Sequence, residues 1–216
     1  MRVLVHSRGQ SAGSWAASIE EVPRADYVIL AVPLQSYADA INNLKPHLGN
    51  DTTIVDVCSV KVKPLEILRE LLPEQPIVVT HPMFGPESAS VRFDGHTLIM
   101  CPSESTSSHY DGIKQFAESL GLEVIETSAD EHDTEIATVQ GLTFFIARTL
   151  NTMGIHNQKL HTPSFQRLLD LANLEEHHSE ALFETIQSGN SHTATVRQAF
   201  MRAADELNAQ ITEPNS

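Results

Sequence analysis

Ile77-Val78-Val79-Thr80-His81-Pro82-Met83-Phe84-Gly85-Pro86-Glu87-Ser88 passes from a β-branched run straight into a loop fixed by two prolines and a glycine. The apolar run is continuous rather than alternating, which is the pattern of a strand covered on both faces. Working outward, short apolar runs suited to strands occur at Val3–His6, Tyr27–Val32, Thr53–Val57, Thr97–Cys101 and Glu123–Glu126. Between them, helix-forming stretches lie at Ser36–Lys45, Pro64–Leu72 and Ser108–Leu120. Strands alternating with helices predict a mostly parallel α/β sheet.

After residue 127 the strand pattern stops. Ser128-Ala129-Asp130-Glu131 is a capping box, in which the Ser hydroxyl and the Glu carboxylate satisfy the free amides of a helix start. Behind it Ile136, Val139, Leu142, Ile146, Leu150 and Met153 recur at helical spacing, and Gly154 is a natural stop. Thr162-Pro163 opens another helix, with proline in its first turn. A last helix is expected from about Ser191 to Asn208, followed by a frayed tail at Thr212–Ser216. Two domains are therefore expected, residues 1–127 and residues 128–216, with no repeat and no low-complexity segment.

The chain has 216 residues, 41% of them hydrophobic, enough for a substantial core. Its net charge of −14 argues against nucleic acid as a partner, because a phosphate-binding surface needs clustered Lys and Arg. Cys58 and Cys101 both sit in apolar runs and read as buried free thiols, so neither a disulfide scaffold nor a zinc site is implied. Met1-Arg2-Val3-Leu4-Val5-His6 turns polar too soon for a signal peptide, and no apolar run approaches the ~20 residues needed to span a bilayer. A cytoplasmic protein without membrane partners is expected.

Three segments stand apart from this scaffold. Ligands of α/β sheets bind beyond the carboxyl ends of strands, which is where the His81 loop falls. Two roles are open to His81: a cap on the strand, or a base, since a neutral imidazole with an unperturbed pKa near ~6.5 accepts a proton at neutral pH. Val55-Asp56-Val57-Cys58-Ser59-Val60-Lys61 is a second strand running into polar residues; Ser59 either caps the next helix or offers a hydrogen bond to a ligand. In Glu131-His132-Asp133 the acids suit the positive end of a helix dipole, and a direct role for His132 stays open beside that structural one. His177-His178 and the other histidines show no metal-ligand spacing, so no metal site is expected.

Taken in order, Val55–Lys61, His81–Ser88, Glu131-His132-Asp133 and Gln140-Gly141-Leu142-Thr143 resemble the prephenate/arogenate dehydrogenase family over essentially the whole chain. The resemblance implies a truncated Rossmann-like parallel sheet followed by an all-α dimerisation domain. It implies an NAD(P)-dependent oxidoreductase of tyrosine biosynthesis, which removes hydride and carbon dioxide from a cyclohexadiene. His81 would be the general base on the ring hydroxyl, Ser59 its orienting partner beside the nicotinamide, and Glu87 a gating carboxylate. Ser7, Arg8, Val32, Pro33 and Ser59 would line the cofactor, and Gln140, Thr143, Gln166 and Arg167 the small-molecule substrate. A homodimer is expected, because family members pair through the helical part. The whole reading requires the His81 ring to face an open cleft beside the Ser59 hydroxyl.

The chain also departs from the family pattern. A dinucleotide fold opens with a strand, a Gly-rich turn and a helix that holds the pyrophosphate. Here Val3–His6 aligns with the second strand, and Arg8-Gly9-Gln10-Ser11-Ala12-Gly13 is a poor substitute for the turn. Val3–His6 and Tyr27–Val32 are then expected to pair directly, or to leave a gap that another chain fills. Ser7 and Arg8, with no acid beside them, favour NADP over NAD. Phe144 stands where many members have histidine, and Gln166 where many have a carboxylate-binding arginine, with Arg167 about 100° further round the helix. Two alternatives accompany the enzyme: a catalytically impaired remnant acting as a dimeric ligand-binding module, and a gene whose true start lies upstream.

Overall fold

The computed structural model describes residues 3–7, 18–19, 21, 25–85, 92–102, 108–174 and 178–212. It divides into two compact units: Met1–Cys58 with Pro64–Thr127, and Ser59–Lys63 with Ser128–Ser216.

The first unit is built on a five-stranded sheet of β1 (Tyr27–Leu30), β2 (Thr53–Asp56), β3 (Ile77–Pro82), β4 (Thr97–Cys101) and β5 (Glu123–Glu126), ordered β1-β2-β3-β4-β5. Three of the four pairings are parallel; β3 and β4 run antiparallel. Helices α1 (Tyr37–Leu44), α2 (Val62–Leu71) and α3 (Ser108–Ser119) lie between strands in sequence. The continuous apolar runs are explained by β2 and β3, which are buried at nearly every position. Val78, Leu98 and Met100 of the sheet pack with Tyr110 and Ala117 of α3 into one core cluster.

Tyr37 is fully buried, and its hydroxyl donates to the Asp56 carboxylate at the end of β2. Burial, and after it the Asp56 charge, push the Tyr37 phenol far above its ordinary value near ~10. An acid whose folded pKa is raised stabilises the fold fully below the unfolded pKa and loses that contribution as pH rises towards the folded value. Stability should therefore fall above about pH 10, and Tyr37→Phe should flatten that alkaline slope in denaturant midpoints taken across pH.

The second unit is helical: α4 (Ala129–Ile136), a π-helical turn (Ala137–Leu142), α5 (Thr143–Thr152), α6 (Pro163–Leu174), α7 (Glu180–Gly189) and α8 (Thr193–Thr212). The capping box forms as expected, the Ser128 side chain accepting from the Glu131 amide and the Glu131 carboxylate accepting from the Ser128 amide. The π turn leaves backbone groups out of the α-helical ladder, and the Gly141 carbonyl accepts from Gln187 Nε2 at 2.7 Å. Gln187 Oε1 in turn accepts from Arg197 at 2.6 Å. Glycine is favoured at 141 because a Cβ there would stand 2.8 Å from Cγ2 of the buried Thr193. Gly141→Ala should cost about 1–3 kcal/mol of stability through overpacking, read as a lowered denaturation midpoint.

Several expectations need correction. Val3–His6 is not a strand of the sheet; only Val5 makes an isolated bridge. Val3 and Val5 remain exposed, so ordering the segment is offset by little burial. Among the described residues no ladder joins Val3–His6 to β1, and β1 stands at the sheet's edge with Ile29 62% exposed. The apolar spacing from Ile136 to Met153 predicts one regular helix, but the π turn interrupts it. Helix α7 was not anticipated, and α8 continues to Thr212, beyond the expected end at Asn208. Residues 213–216 of the expected frayed tail lie outside the described residues.

Candidate active site

Strands β1, β2 and β3 are mutually parallel, so the chain leaves all three at the same end of the sheet. Leu30 is level with Asp56, and Asp56 with Val79, so the loops after β1 and β2 begin side by side while β3 runs three residues further, to Pro82. Val32 and Pro33 follow β1 and lead through a 3₁₀ turn, Leu34–Ser36, into α1; Val32 is half-buried and Pro33 exposed. A strand end leading into a helix start is the arrangement that cradles dinucleotides in folds of this kind.

His81 lies within β3 near its end, paired in register with Ile99 of β4. Its loop is held at the start by the Met83 amide, which donates to the Thr97 carbonyl at 2.9 Å, and by Phe84, whose ring packs on Phe93 and His96. His81 is only 3% exposed. The ring is thus covered rather than displayed, because the end of β3 is buried with the rest of the strand, and among the described residues it does not meet the expectation of an open setting.

The β2 end carries a network that sequence reasoning did not foresee. Asp56 Oδ1 accepts both the Tyr37 hydroxyl and, at 3.0 Å, the Cys58 amide, while its backbone carbonyl accepts from Thr80 Oγ1 at 2.7 Å. The signal was present, since an aspartate between two valines in a buried strand must be compensated by donors. Cys58 and Cys101 are both buried free thiols, as expected. Ser59 follows, half-buried, in a turn that clusters with the helical unit.

In that unit His132 and Asp133 are buried rather than displayed at the helix surface, with His132 Nδ1 2.8 Å from Asp133 Oδ1. Asp133 also accepts the backbone amides of Lys61 and Val62 at 2.7 and 3.0 Å. Gln140 falls in the π turn, with a buried Oε1 that has no hydrogen-bond partner among the described residues; Thr143 opens α5. Phe144 is buried and stacks on His178 at 4.4 Å between ring centroids. Gln166 is exposed and donates to Asp170 at 2.9 Å, and Arg167 is exposed beside it. Ser7 is exposed. Arg8, the Arg8–Gly13 stretch and Glu87 lie outside the described residues. Among the described residues there is no cluster of His, Cys, Asp and Glu able to hold a metal, and no helix long and apolar enough to cross a membrane.

A parallel-dominant α/β unit with its loops gathered at the strand ends, joined in sequence to a helical unit, defines a Rossmann-like protein of the nucleotide-binding class. Residues 10–126 match the family model described as "Prephenate dehydrogenase, nucleotide-binding domain", and the chain belongs to the prephenate dehydrogenase family. Arogenate dehydrogenase 2 of Arabidopsis thaliana is 28% identical to it over 197 residues, 84% of this chain and 55% of that protein. The chain spans between about a third and a little over half the length of the first curated relatives it matches. Among solved structures, prephenate dehydrogenase from A. aeolicus in complex with hydroxyphenyl propionate and NAD+ superposes with a TM-score of 0.72 at 20% identity, covering 91% of this chain and 73% of that one. Synechocystis arogenate dehydrogenase gives 0.66 at 18% identity, covering 90% and 74%. At such identities the structural likeness is one of fold.

Proposed function

We propose that the chain is an NAD(P)-dependent dehydrogenase of tyrosine biosynthesis, oxidatively decarboxylating prephenate or arogenate in the cytoplasm. The observation that carries this reading is His81 on the last turnless residues of β3, at the strand-end edge of a sheet whose family is prephenate dehydrogenase. A nicotinamide cofactor, held by Val32 and Pro33 among others, would supply the hydride acceptor for the carbinol carbon. The chain's own residues supply the rest. The His81 imidazole takes the ring hydroxyl proton, and Ser59 orients the reacting groups with its hydroxyl. Loss of carbon dioxide from the substrate carboxylate then completes an aromatic ring, which drives the reaction forward.

Val32 and Pro33 are suited to line the cofactor, because they are accessible at the strand end that precedes a helix start. Ser7 and Arg8 support NADP over NAD by offering a hydroxyl and a cation without an acid. Glu87 is assigned the gate. Gln140, Thr143, Gln166 and Arg167 are assigned to the substrate, Gln140 with the strongest support because its Oε1 is a buried acceptor without a donor among the described residues. Residues 1–127 then form a partial dinucleotide-binding domain and 128–216 a helical domain that binds substrate and pairs with a second copy. Exposed apolar side chains on the helices, including Val139, Met153, Met201, Leu207 and Ile211, support the homodimer.

The burial of His81 favours a second reading, a dimeric ligand-binding module with impaired catalysis, because substrate reaches this ring only if the groups around it part. One experiment separates the two. Protein is mixed with NADP or NAD and with prephenate or arogenate, reduced nicotinamide is followed by absorbance, and cofactor binding is measured by calorimetry. Turnover supports the dehydrogenase. Absent turnover together with absent cofactor binding rejects it and leaves the module.

A further inference from the structure

We propose that Asp133 is a positioning residue that holds the Ser59 turn in place, an inference that rests on the assignment of Ser59 to the catalytic machinery. Lys61 and Val62 stand at the start of α2, where the first amides of a helix have no carbonyl partner within it. They are satisfied from a distant part of the chain: Asp133 Oδ1 accepts from Lys61 at 2.7 Å and Oδ2 from Val62 at 3.0 Å. Both carboxylate oxygens are thus committed to consecutive amides two and three residues after Ser59. The positive end of the helix dipole adds to the attraction.

The carboxylate is itself held rigidly. Asp133 is 1% exposed, His132 Nδ1 lies 2.8 Å from Oδ1, and the Asp133 carbonyl accepts from Asn190 Nδ2 at 2.6 Å. Charge-assisted hydrogen bonds of this kind are the stronger class and lose most when one partner is neutralised in a buried setting. On the other side of Ser59, the Cys58 amide is bound by Asp56. Ser59 therefore sits in a short span whose flanking amides are pinned to two buried carboxylates. A solvated loop needs no such arrangement, whereas a hydroxyl that must meet a reacting group within a fraction of an ångström does. Ser128 and Ser179 cap α4 and α7 from the position just before each helix, whereas that position in α2 is Lys61, whose side chain carries no acceptor, and Asp133 supplies the carboxylate instead.

The test uses Asp133→Asn, which keeps the side-chain shape but turns an NH2 towards an amide that needs an acceptor. Amide exchange at Lys61 and Val62 should accelerate by about tenfold or more, while Val78 and Val79 in the sheet keep their protection. With whichever substrate pair the wild type turns over, kcat should fall by roughly 100-fold with KM nearly unchanged. Added to Ser59→Ala, the substitution should cause no further loss, because it acts through that hydroxyl. Unchanged exchange at Lys61 and Val62 overturns the proposal. So does an additive double variant, or loss of protection throughout the chain, which is the mark of a merely structural carboxylate. If the wild type turns over neither substrate, the dehydrogenase reading fails by itself, and the exchange result alone decides whether Asp133 holds the turn.

Discussion

His81→Gln is expected to reduce turnover by about 10²–10⁴-fold, the usual worth of a general base, while leaving the sheet intact. Glutamine preserves most of the imidazole's volume and can hydrogen-bond, but it cannot take a proton. The choice matters because His81 is buried in β3, where His81→Ala would open a cavity and confuse lost chemistry with lost folding. Activity must be read per folded molecule, with circular dichroism as the check. A variant that keeps most of its turnover would assign His81 to the strand alone. The cofactor gives a second readout: its affinity should be nearly the same in both proteins, since proton removal is not part of binding.

The burial of this ring makes access part of the chemistry. Water excluded from a site strengthens every electrostatic interaction within it, and enzymes commonly reach that state by closing over the substrate. A wild type that is active despite a covered His81 would therefore have to open in turnover, and its rate would respond to viscosity as well as to substitution at position 81.

How far the sequence foretold the structure differs by element. Strand β4 is found where its apolar run places it, because such a run has few other ways to be buried, and β5 is found at the expected residues although it is a mostly exposed edge strand. The capping box marked the start of α4 to the residue, since its two hydrogen bonds are local and need nothing from the rest of the fold. Failures came where the deciding contact is remote. Val3–His6 has strand composition but, among the described residues, forms only the single bridge at Val5, and β-propensity does not build a strand without a ladder. The π turn depends on Gln187 and Thr193, which follow Gly141 by some fifty positions in sequence. In the site, motif order singled out His81 and Ser59, but nothing near them in sequence announced that His81 would be buried. Nor did it show that Asp56 and Asp133 would each bind amides flanking Ser59.

Asp56→Ala is expected to be the most damaging single change to the stability of the first unit. The Asp56 side chain has no exposure, and its Oδ1 accepts two donors that are themselves buried, the Tyr37 hydroxyl and the Cys58 amide. Alanine removes this acceptor from both donors, leaving the Tyr37 hydroxyl only its longer contact to the Leu30 carbonyl at 3.4 Å, and costs up to about 1–3 kcal/mol for each. A small cavity adds to this beside α1, whose Tyr37 and Ile41 are fully buried. The total, of the order of 2–6 kcal/mol, is a large share of the 5–15 kcal/mol that holds most domains together. Tyr37→Phe, which removes only one donor, should cost distinctly less. The double variant Asp56→Ala, Tyr37→Phe should then be less destabilised than the sum of the two, because removing the phenol oxygen relieves one of the groups that alanine strands. Additive losses in urea would mean that the two side chains stabilise the β2 end independently, and that their bond is incidental to it.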